Sequence, residues 1–366
     1  MKSLKDLKLK RLVVLVLVML IAIRLFSRLS HEAKALDVSG DITANTNWTT
    51  TDSPYNLTGN VTIRNGATLT VDAGVVVQSN GYYRLTVDNG ALVVNGASGN
   101  EVTFTSTSGT TANSWDGIVV SQNGSATIDY ANISYSEVGV MIQGGSVSIT
   151  NSTFTSNHIG VDAHFDASLT LTGNTFNSNT YVPLVLNPDI QDSNLTLGSN
   201  ILGSSGNENG YDAIGIGYSA SFTNGCPGSS CSIVQRNFAG ISDIPYLHFS
   251  SYSFYNSADT FTIAAGVVIK HRNYGGDQGF RLTNGSDIVI AGTAGNEVVF
   301  TTEYDDRFGG DTNNDGTATS MSNGIWEGLR LESGSSLTAD YAEFYGADAS
   351  IVLFGSGTTG TIRDSL

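Results

Sequence analysis

The densest group of metal-ligand side chains lies at residues 303–320, an insertion relative to the corresponding segment of the first repeated half, Val102–Trp115. Acidic and amide side chains stand there at every second position, and Gly316 follows them. Alternating oxygen ligands with a turn glycine are typical of a calcium-binding loop. The predicted Ca²⁺ ligands are Asp311, Asn313, Asp315 and Thr317. A solvated acidic turn is the alternative, because Ser322 stands where such a loop carries a bidentate carboxylate.

A histidine between two carboxylates is a second candidate for chemistry. Asp162, His164 and Asp166 are spaced two residues apart, and such a group could supply the acid and base of glycoside hydrolysis. In a strand, residues two apart share one face, so the three side chains would point outward, where polar residues belong in any case. We keep them as catalytic candidates beside this structural interpretation.

The elements that must position these residues are repeats of 21 or 22 residues between positions 126 and 179. Apolar residues recur at Ile128, Ile149 and Leu171. A second series follows the same steps: Ile133, Phe154 and Phe176. A fixed period of this length is typical of stacked solenoids.

Within each repeat, apolar and small polar residues alternate, which predicts strands with one buried face. We therefore predict an all-β protein, a right-handed parallel β-helix with about 22 residues per coil. Asn157 and Asn179 end the corresponding segments of two successive repeats, and we expect their side chains to stack and share amide hydrogen bonds.

The repeats are themselves duplicated, since Thr68–Val76 is echoed by Thr260–Val268. The predicted domains are an N-terminal segment (1–35), a cap (36–60), a first β-helix copy (61–240, with irregular loops over 181–240) and a second copy (241–366). The second copy ends within a coil, so we expect it to be truncated and further domains to follow Leu366.

Residues 1–35 combine basic residues, the apolar run Leu12–Ile23 and a small-residue cleavage site, which predicts a signal peptide or an uncleaved N-terminal anchor. Either kind of segment predicts a secreted or cell-surface protein, which would contact the membrane only if the segment stays uncleaved. Residues 36–366 then hold 9 basic and 31 acidic residues, a formal charge of −22. A body so acidic excludes nucleic acid as a partner.

The only two cysteines of the chain, Cys226 and Cys231, lie in the irregular region. In an exported protein this pair predicts a disulfide that closes one loop.

Two phrases, Leu69–Val76 and Trp115–Ile118, resemble those of the pectate-lyase-like parallel β-helix superfamily, and in particular its large extracellular bacterial and archaeal members. The resemblance covers nearly all of the chain after residue 35. It implies the fold more strongly than the function, because lyases, hydrolases, adhesins and carbohydrate-binding proteins share it.

For Lys270 and Arg272, the resemblance implies a possible catalytic role. Lyases of this type use a basic side chain to remove the proton next to a uronate carboxylate, which calcium or arginine neutralises. Lys270 is the only lysine after the leader, so it is the candidate base, with Arg272 as its charge partner. A solvated coil edge is the structural alternative.

We therefore expect a non-catalytic module that binds an extracellular polysaccharide or cell-surface glycan, or that forms an adhesin stalk, with calcium ordering one loop. The alternative is a polysaccharide lyase or glycoside hydrolase. An enzyme should gather Lys270, Arg272, carboxylates and a tyrosine into one groove, whereas a structural solenoid should scatter them.

Overall fold

The structure is a computed structural model that describes residues 35–164, 167–188, 190–216, 230–249, 252–254, 260–272, 279–283, 285–322, 326–332 and 334–366, with only the backbone for residues 252–254. The predicted leader lies outside these residues, apart from Ala35, as do the candidate residues Asp166 and Cys226.

The described chain is built from short strands. In chain order they are β1 (Leu36–Ile42), β2 (Thr46–Trp48), β3 (Tyr55–Ile63), β4 (Thr68–Asp72), β5 (Val76–Ser79), β6 (Arg84–Val87), β7 (Ala91–Asn95), β8 (Val102–Ser106), β9 (Trp115–Ser121), β10 (Ser125–Asp129), β11 (Ala131–Ser134), β12 (Ser136–Gln143), β13 (Ser146–Thr150), β14 (Thr153–Thr155), β15 (Ile159–His164), β16 (Ser168–Thr172), β17 (Thr175–Asn177), β18 (Leu184–Leu186), β19 (Leu195–Leu197), β20 (Ile201–Leu202), β21 (Ile214–Ile216), β22 (Ser230–Ile233), β23 (Tyr246–His248), β24 (Tyr252–Phe254), β25 (Thr260–Ala264), β26 (Val268–His271), β27 (Gly279–Leu282), β28 (Asp287–Ala291), β29 (Val298–Thr302), β30 (Gly328–Glu332), β31 (Ser336–Asp340), β32 (Ala342–Phe344), β33 (Ile351–Phe354) and β34 (Thr359–Arg363).

Strands of successive coils pair in parallel and in the predicted register. Ile128 of β10 is the partner of Ile149 in β13, which is the partner of Leu171 in β16, so these coils are offset by 21 and 22 residues. The predicted all-β parallel β-helix is confirmed. The described residues contain no α-helix, only a three-residue 3-10 turn at Asp192–Asn194.

The strands form four sheets of 18, 7, 5 and 4 strands, which we number sheets 1 to 4 in that order. In the first half of the chain, sheet 1 supplies two strands to most coils, and sheet 2 supplies the third. Sheet 2 consists of β2, β4, β7, β10, β13, β16 and β19. Sheet 3 consists of β22, β25, β28, β31 and β34, and sheet 4 of β24, β27, β30 and β33. Sheets 3 and 4 belong to the second half, so only sheet 1 runs through both.

The coils of the second half are stacked out of phase with those of the first. Within sheet 1, strands that pair from one coil to the next form a column. The column of β15, β18 and β21 continues through β23 into β26 and β29. In sequence, β26 comes directly after β25 of sheet 3, just as β5 comes directly after β4 of sheet 2. By contrast, β15 and β18 come directly before β16 and β19 of sheet 2. The column therefore changes its position in the coil by one strand. Residues distant in sequence become neighbours on its outer side.

Asparagine ladders fill the turns. Asn157 Nδ2 donates to Asn179 Oδ1 at 3.1 Å, as predicted, and Asn179 Nδ2 donates in turn to Asn209 Oδ1 at 2.9 Å. All three residues are buried, and each amide also satisfies a backbone group, for example the N–H of Asn157. A buried backbone group left unpaired costs about 1–3 kcal/mol, so the ladder stabilises a turn that has no regular ladder of its own.

The core contains an unexpected pair of histidines. His248 and His271 are partners on adjacent strands, neither is exposed, and their ring centroids are 5.0 Å apart. The ring of His271 stacks on Trp326 with centroids 3.8 Å apart and planes within 3°. Burial lowers the pKa of His248 to about 3 and that of His271 well below its usual value. Both imidazoles are therefore neutral at physiological pH.

Because these two histidines are buried and neutral, we predict that the folded protein loses stability in mild acid. The unfolded chain takes up a proton at each histidine near pH 6.5, and the folded core does not, so the free energy of unfolding should fall as the pH drops below about 6.5, by up to about 1.4 kcal/mol per histidine per pH unit. Thermal unfolding of the variant His271→Phe, which keeps an aromatic ring beside Trp326, should be measured from pH 7.5 to 4.5.

The variant should have a shallower pH dependence than the wild type. Phe300→Leu in the same core is the control: it should lower the melting temperature at every pH and leave the slope unchanged. If the melting temperature of His271→Phe depended on pH as steeply as that of the wild type, His271 would not be a source of the acid sensitivity.

Candidate functional site

The outer column of sheet 1 brings two of the sequence candidates onto one side of the molecule. Asp162 in β15 and Lys270 in β26 occupy the same register position, four coils apart. At about 4.8 Å per coil, roughly 19 Å separate them. The alternating residues Val161 and Ala163 lie in the core, which places Asp162 and Lys270 on the outer side.

The outer side of this column is covered, which the sequence analysis did not anticipate. Asp162 is 0% exposed and His164 2%, so both side chains lie on the outer face, as expected, but do not reach solvent. Burial lowers the pKa of His164 to about 4. A neutral, buried imidazole cannot contact a polysaccharide in this conformation.

A second apolar cluster forms this cover, outside the β-helix core. Its buried members are Val138, Ile159, Tyr181, Val182, Val185, Ala213, Leu247 and Phe249. Gly215, in the same column, makes room for the ring of Phe249, because a Cβ at Gly215 would lie 2.4 Å from that ring. Each large side chain of the cluster contributes about 1.5–3 kcal/mol through burial. The cluster therefore fixes the irregular segments of the first half against sheet 1.

Lys270 lies under the insertion of the second half. Its Nζ donates to the carbonyl of Gly310 at 2.5 Å and to the hydroxyl of Thr312, and the side chain is fully buried. The insertion also reaches the first half, because Asp212 N–H donates to Thr312 O at 2.9 Å and Asn314 Nδ2 donates to Asn209 O at 3.0 Å. The insertion is thus tied to the last member of the buried asparagine ladder.

Carboxylates surround the buried ammonium group. Burial lowers the pKa of Lys270 to about 8, and Asp306, Asp305 and Asp311 oppose that effect. Arg307 holds Asp305 in a two-pronged pair of 2.8 and 2.9 Å. Lys270 is therefore an internal counter-ion of the insertion, and not an exposed base at the coil edge.

Arg272 joins an aromatic group, which we name the junction cluster: Tyr181, Tyr211, Arg272, Glu303 and Tyr304. The guanidinium carbon of Arg272 lies 4.6 Å from the ring centre of Tyr181 and 5.0 Å from that of Tyr211. Its Nε lies 3.5 Å from Glu303 Oε2. Burial, and then the nearby Glu303, raises the pKa of Tyr211 well above its usual value, so the phenol stays protonated. Tyr304 is half-buried beside the same carboxylate.

The predicted calcium loop is held by its own hydrogen bonds. The carboxylate of Asp311 accepts from the N–H groups of Asp315, at 3.2 Å, and Gly316, at 2.8 Å. Asn313 Nδ2 donates to Asp315 Oδ2 at 2.8 Å, and its Oδ1 is buried without a hydrogen-bond partner. Thr317 is exposed. Across the described part of the chain, no three His, Cys, Asp or Glu side chains converge as metal ligands. Calcium binding stays a prediction.

Cys231 is buried and disulfide-bonded, while Cys226 lies outside the described residues, so their pairing stays a prediction.

Every arginine after the leader takes part in an ion pair. They are Arg64, Arg84, Arg236, Arg272, Arg281, Arg307, Arg330 and Arg363. With Lys270 buried, all nine basic residues of this region are already matched to groups of the protein.

Sequence reasoning missed Tyr181, Tyr211 and Glu303. Tyr181 and Tyr211 each stand two residues after a ladder asparagine, Asn179 and Asn209, which was a usable signal. It was hidden because Asn179 and Asn209 are 30 residues apart, beyond the regular period.

Comparison with known proteins identifies the class. Residues 40–157 match the family described as the pectate-lyase-like β-helix domain. Over these residues the chain is similar to that family, and the resemblance recognised in its sequence is confirmed. No curated protein and no solved structure matches the chain significantly. The described residues include no helix with the length and hydropathy of a membrane span.

Because Lys270 donates hydrogen bonds to Gly310 and Thr312, we predict that its side chain holds the insertion in place. In Lys270→Met, Gly310 O and Thr312 Oγ1 lose their charged donor, a loss of about 1.5–3 kcal/mol that is partly offset by removing a buried charge. Hydrogen exchange across residues 303–322 should accelerate, while exchange in β10 and β13 should not change.

Arg64→Met is the matched control, because it removes an exposed ion pair with Asp41 worth less than about 1 kcal/mol. Unchanged exchange in the insertion of Lys270→Met would show that the ammonium does not hold it.

Proposed function

We propose that this protein is an exported β-helical module that binds a glycan at the junction cluster and serves as a binding or adhesin stalk domain. The observation that carries the proposal is Arg272 stacked over two tyrosines, one of them half-buried, beside the carboxylate Glu303. Tyr181 is buried, so Tyr211 and Tyr304, which are half-buried, are the rings that a sugar could contact, and fixed polar groups beside them would orient its hydroxyls. The basic, apolar leader supports export.

The burial of Lys270 argues for binding without cleavage. A general base must come within about 3 Å of the proton that it removes, and the insertion covers this amine. Arg272, its proposed charge partner, is engaged by Glu303. The amine of Lys270 therefore cannot meet a uronate in this conformation.

One observation favours the alternative, a polysaccharide lyase. Arg272, which follows β26 directly, does contact Glu303, Tyr181 and Tyr211, and burial moves the pKa of Lys270 to about 8, toward that of a base. This reaction would require the insertion to open before a substrate could reach Nζ.

Glycan binding can be tested by calorimetric titration with neutral linear tetrasaccharides, namely cellotetraose, maltotetraose and tetra-N-acetylchitotetraose. Tyr304→Ala should weaken binding about threefold to tenfold, because a ring contact contributes about 0.5–1.5 kcal/mol. Tyr82→Ala, which alters an exposed tyrosine elsewhere, is the control and should bind as the wild type does.

If no tetrasaccharide binds, or if both variants bind equally, the junction cluster is not a glycan site. Release of unsaturated products from a polyuronate, absent in Lys270→Met, would instead support the lyase.

We also propose that the insertion binds Ca²⁺. The donor set fits a hard cation in part, because Asp311 and Asp315 supply carboxylates and Asn313 Oδ1 has no partner in the described residues. These residues and the carbonyl of Thr317 would hold the ion, and its charge would neutralise the acidic loop.

Calcium should then raise the melting temperature of residues 36–366, and a chelator should reverse the effect. The double variant Asp311→Ala/Asp315→Ala should not respond, whereas Asp37→Ala, an exposed acidic residue in β1, should respond as the wild type does. An equal response from all three proteins would place calcium elsewhere.

A further inference from the structure

Within the described residues, a single strand pair joins the two halves of the β-helix, namely β21 with β23. It consists of three residue pairs, and the last of them is Ile216 with His248. The next pair of the column, β23 with β26, places His271 against His248. The other two columns of the first half end at β19 and β20, and sheets 3 and 4 begin anew at β22 and β24. The buried histidine pair therefore lies in the strands that connect the halves.

The first half shows how the same core positions are filled without histidine. Ser79 of β5 corresponds to His271 of β26, and its Oγ donates to the carbonyl of Gly81 at 2.7 Å. Ser106 of β8 corresponds to Thr302 of β29, and its Oγ donates to Ser79 O at 3.3 Å. In the second half, neither ring nitrogen of His271 nor Thr302 Oγ1 has a hydrogen-bond partner among the described residues, and both residues are fully buried. Water would satisfy these groups if the strands separated.

The neighbours of the two imidazoles are aromatic. The ring of His248 stacks on Phe280, with centroids 4.7 Å apart, and that of His271 stacks on Trp326. Tyr246 lies on the same face of β23 as His248, and burial raises the pKa of its phenol to about 12, so it stays neutral. None of these residues can neutralise an imidazolium, and two imidazolium rings 5.0 Å apart would repel each other.

The charged side chains of the surrounding strands make their contacts elsewhere. They are Lys270 with the insertion, Arg272 with Glu303, and Arg281 with Glu332. Burial lowers the pKa of His248, and burial together with His248 lowers that of His271. Among the described residues, no carboxylate opposes either effect. A proton can therefore be held at these rings only after the strands have opened.

Strand β26 connects the histidine pair to the outer surface. Lys270, which precedes His271, donates to Gly310 of the insertion, and Arg272, which follows it, lies over the ring of Tyr181 in the junction cluster. Because side chains alternate along a strand, His271 cannot leave the core unless β26 moves and carries both outer anchors with it.

We infer that His248 and His271 form an acid-sensitive latch between the two halves: their protonation releases β26, and with it the insertion and the junction cluster, while the coils of the first half stay folded. The inference goes beyond a general loss of stability in acid, because it specifies an ordered, local opening. It also does not depend on the proposed glycan binding, and its test needs no glycan.

The test is amide hydrogen exchange of the full chain at pH 7.5 and pH 5.0, expressed as protection relative to an unstructured peptide at the same pH. The latch is closed at pH 7.5, and its stability is lost as the pH falls through about 6.5, because only the open form then takes up protons. At pH 5.0 each histidine should favour opening about 30-fold, so β26 and residues 303–322 should lose protection about 1000-fold. The strands β10 and β13 should keep theirs.

Three variants locate the source of the effect. His271→Phe should reduce the loss of protection to about 30-fold, and His271→Ser, which restores the residue of the first half, should do the same. His164→Phe is the matched control, because it removes another buried, neutral histidine, and it should leave the loss about 1000-fold.

Three results would overturn the inference. If both His271 variants lose as much protection as the wild type, the acid response arises elsewhere. If β10 and β13 lose protection to the same extent as β26, the molecule opens as one unit and contains no latch. If the wild type keeps its protection at pH 5.0, the histidine pair does not control the junction.

Discussion

Parallel hydrogen bonding between coils is the constraint on which the structure depends. Strands satisfy their backbone groups through this register, but the turns between them do not, and the turns are buried where one coil lies on the next. The chain resolves this with asparagine side chains, each of which accepts from the coil before it and donates to its neighbours. The ladder runs from Asn157 to Asn209 and ends beside Asp212, where the insertion docks.

The change of phase between the two halves has a consequence for function. A regular β-helix presents a single polar outer surface to solvent, and its side chains stack in columns of one kind. Here the column that passes from β21 into β23 and β26 must join strands with different roles in the coil. Its outer side carries Val185 and Leu247, which need cover, and the irregular segments supply it. The junction cluster lies at the edge of that cover, which explains why aromatic and charged groups gather there.

The regular coils could be predicted from the sequence because their information is local. Ile128, Ile149 and Leu171 share a spacing, and the pairing of β10, β13 and β16 follows it. The environment of Lys270 could not be predicted in this way. Its hydrogen-bond partners Gly310 and Thr312 are 40 and 42 residues distant, on an insertion with no periodicity, and only the fold brings them together. Alternation correctly placed Asp162 on the outer side but could not reveal that a second layer covers it.

Electrostatics connects the calcium proposal to the choice of ligand. The insertion is acidic, and one internal cation, Lys270, neutralises only part of its charge. A bound Ca²⁺ would be attracted to the carboxylates of the loop, among them Asp311, whose Oδ2 accepts from the N–H of Gly316. Calcium would lower the repulsion within the insertion, and a polyuronate would need that neutralisation to approach at all. The response to calcium is therefore informative about the glycan, because an anionic ligand should bind more tightly with calcium than without it, whereas a neutral ligand should not.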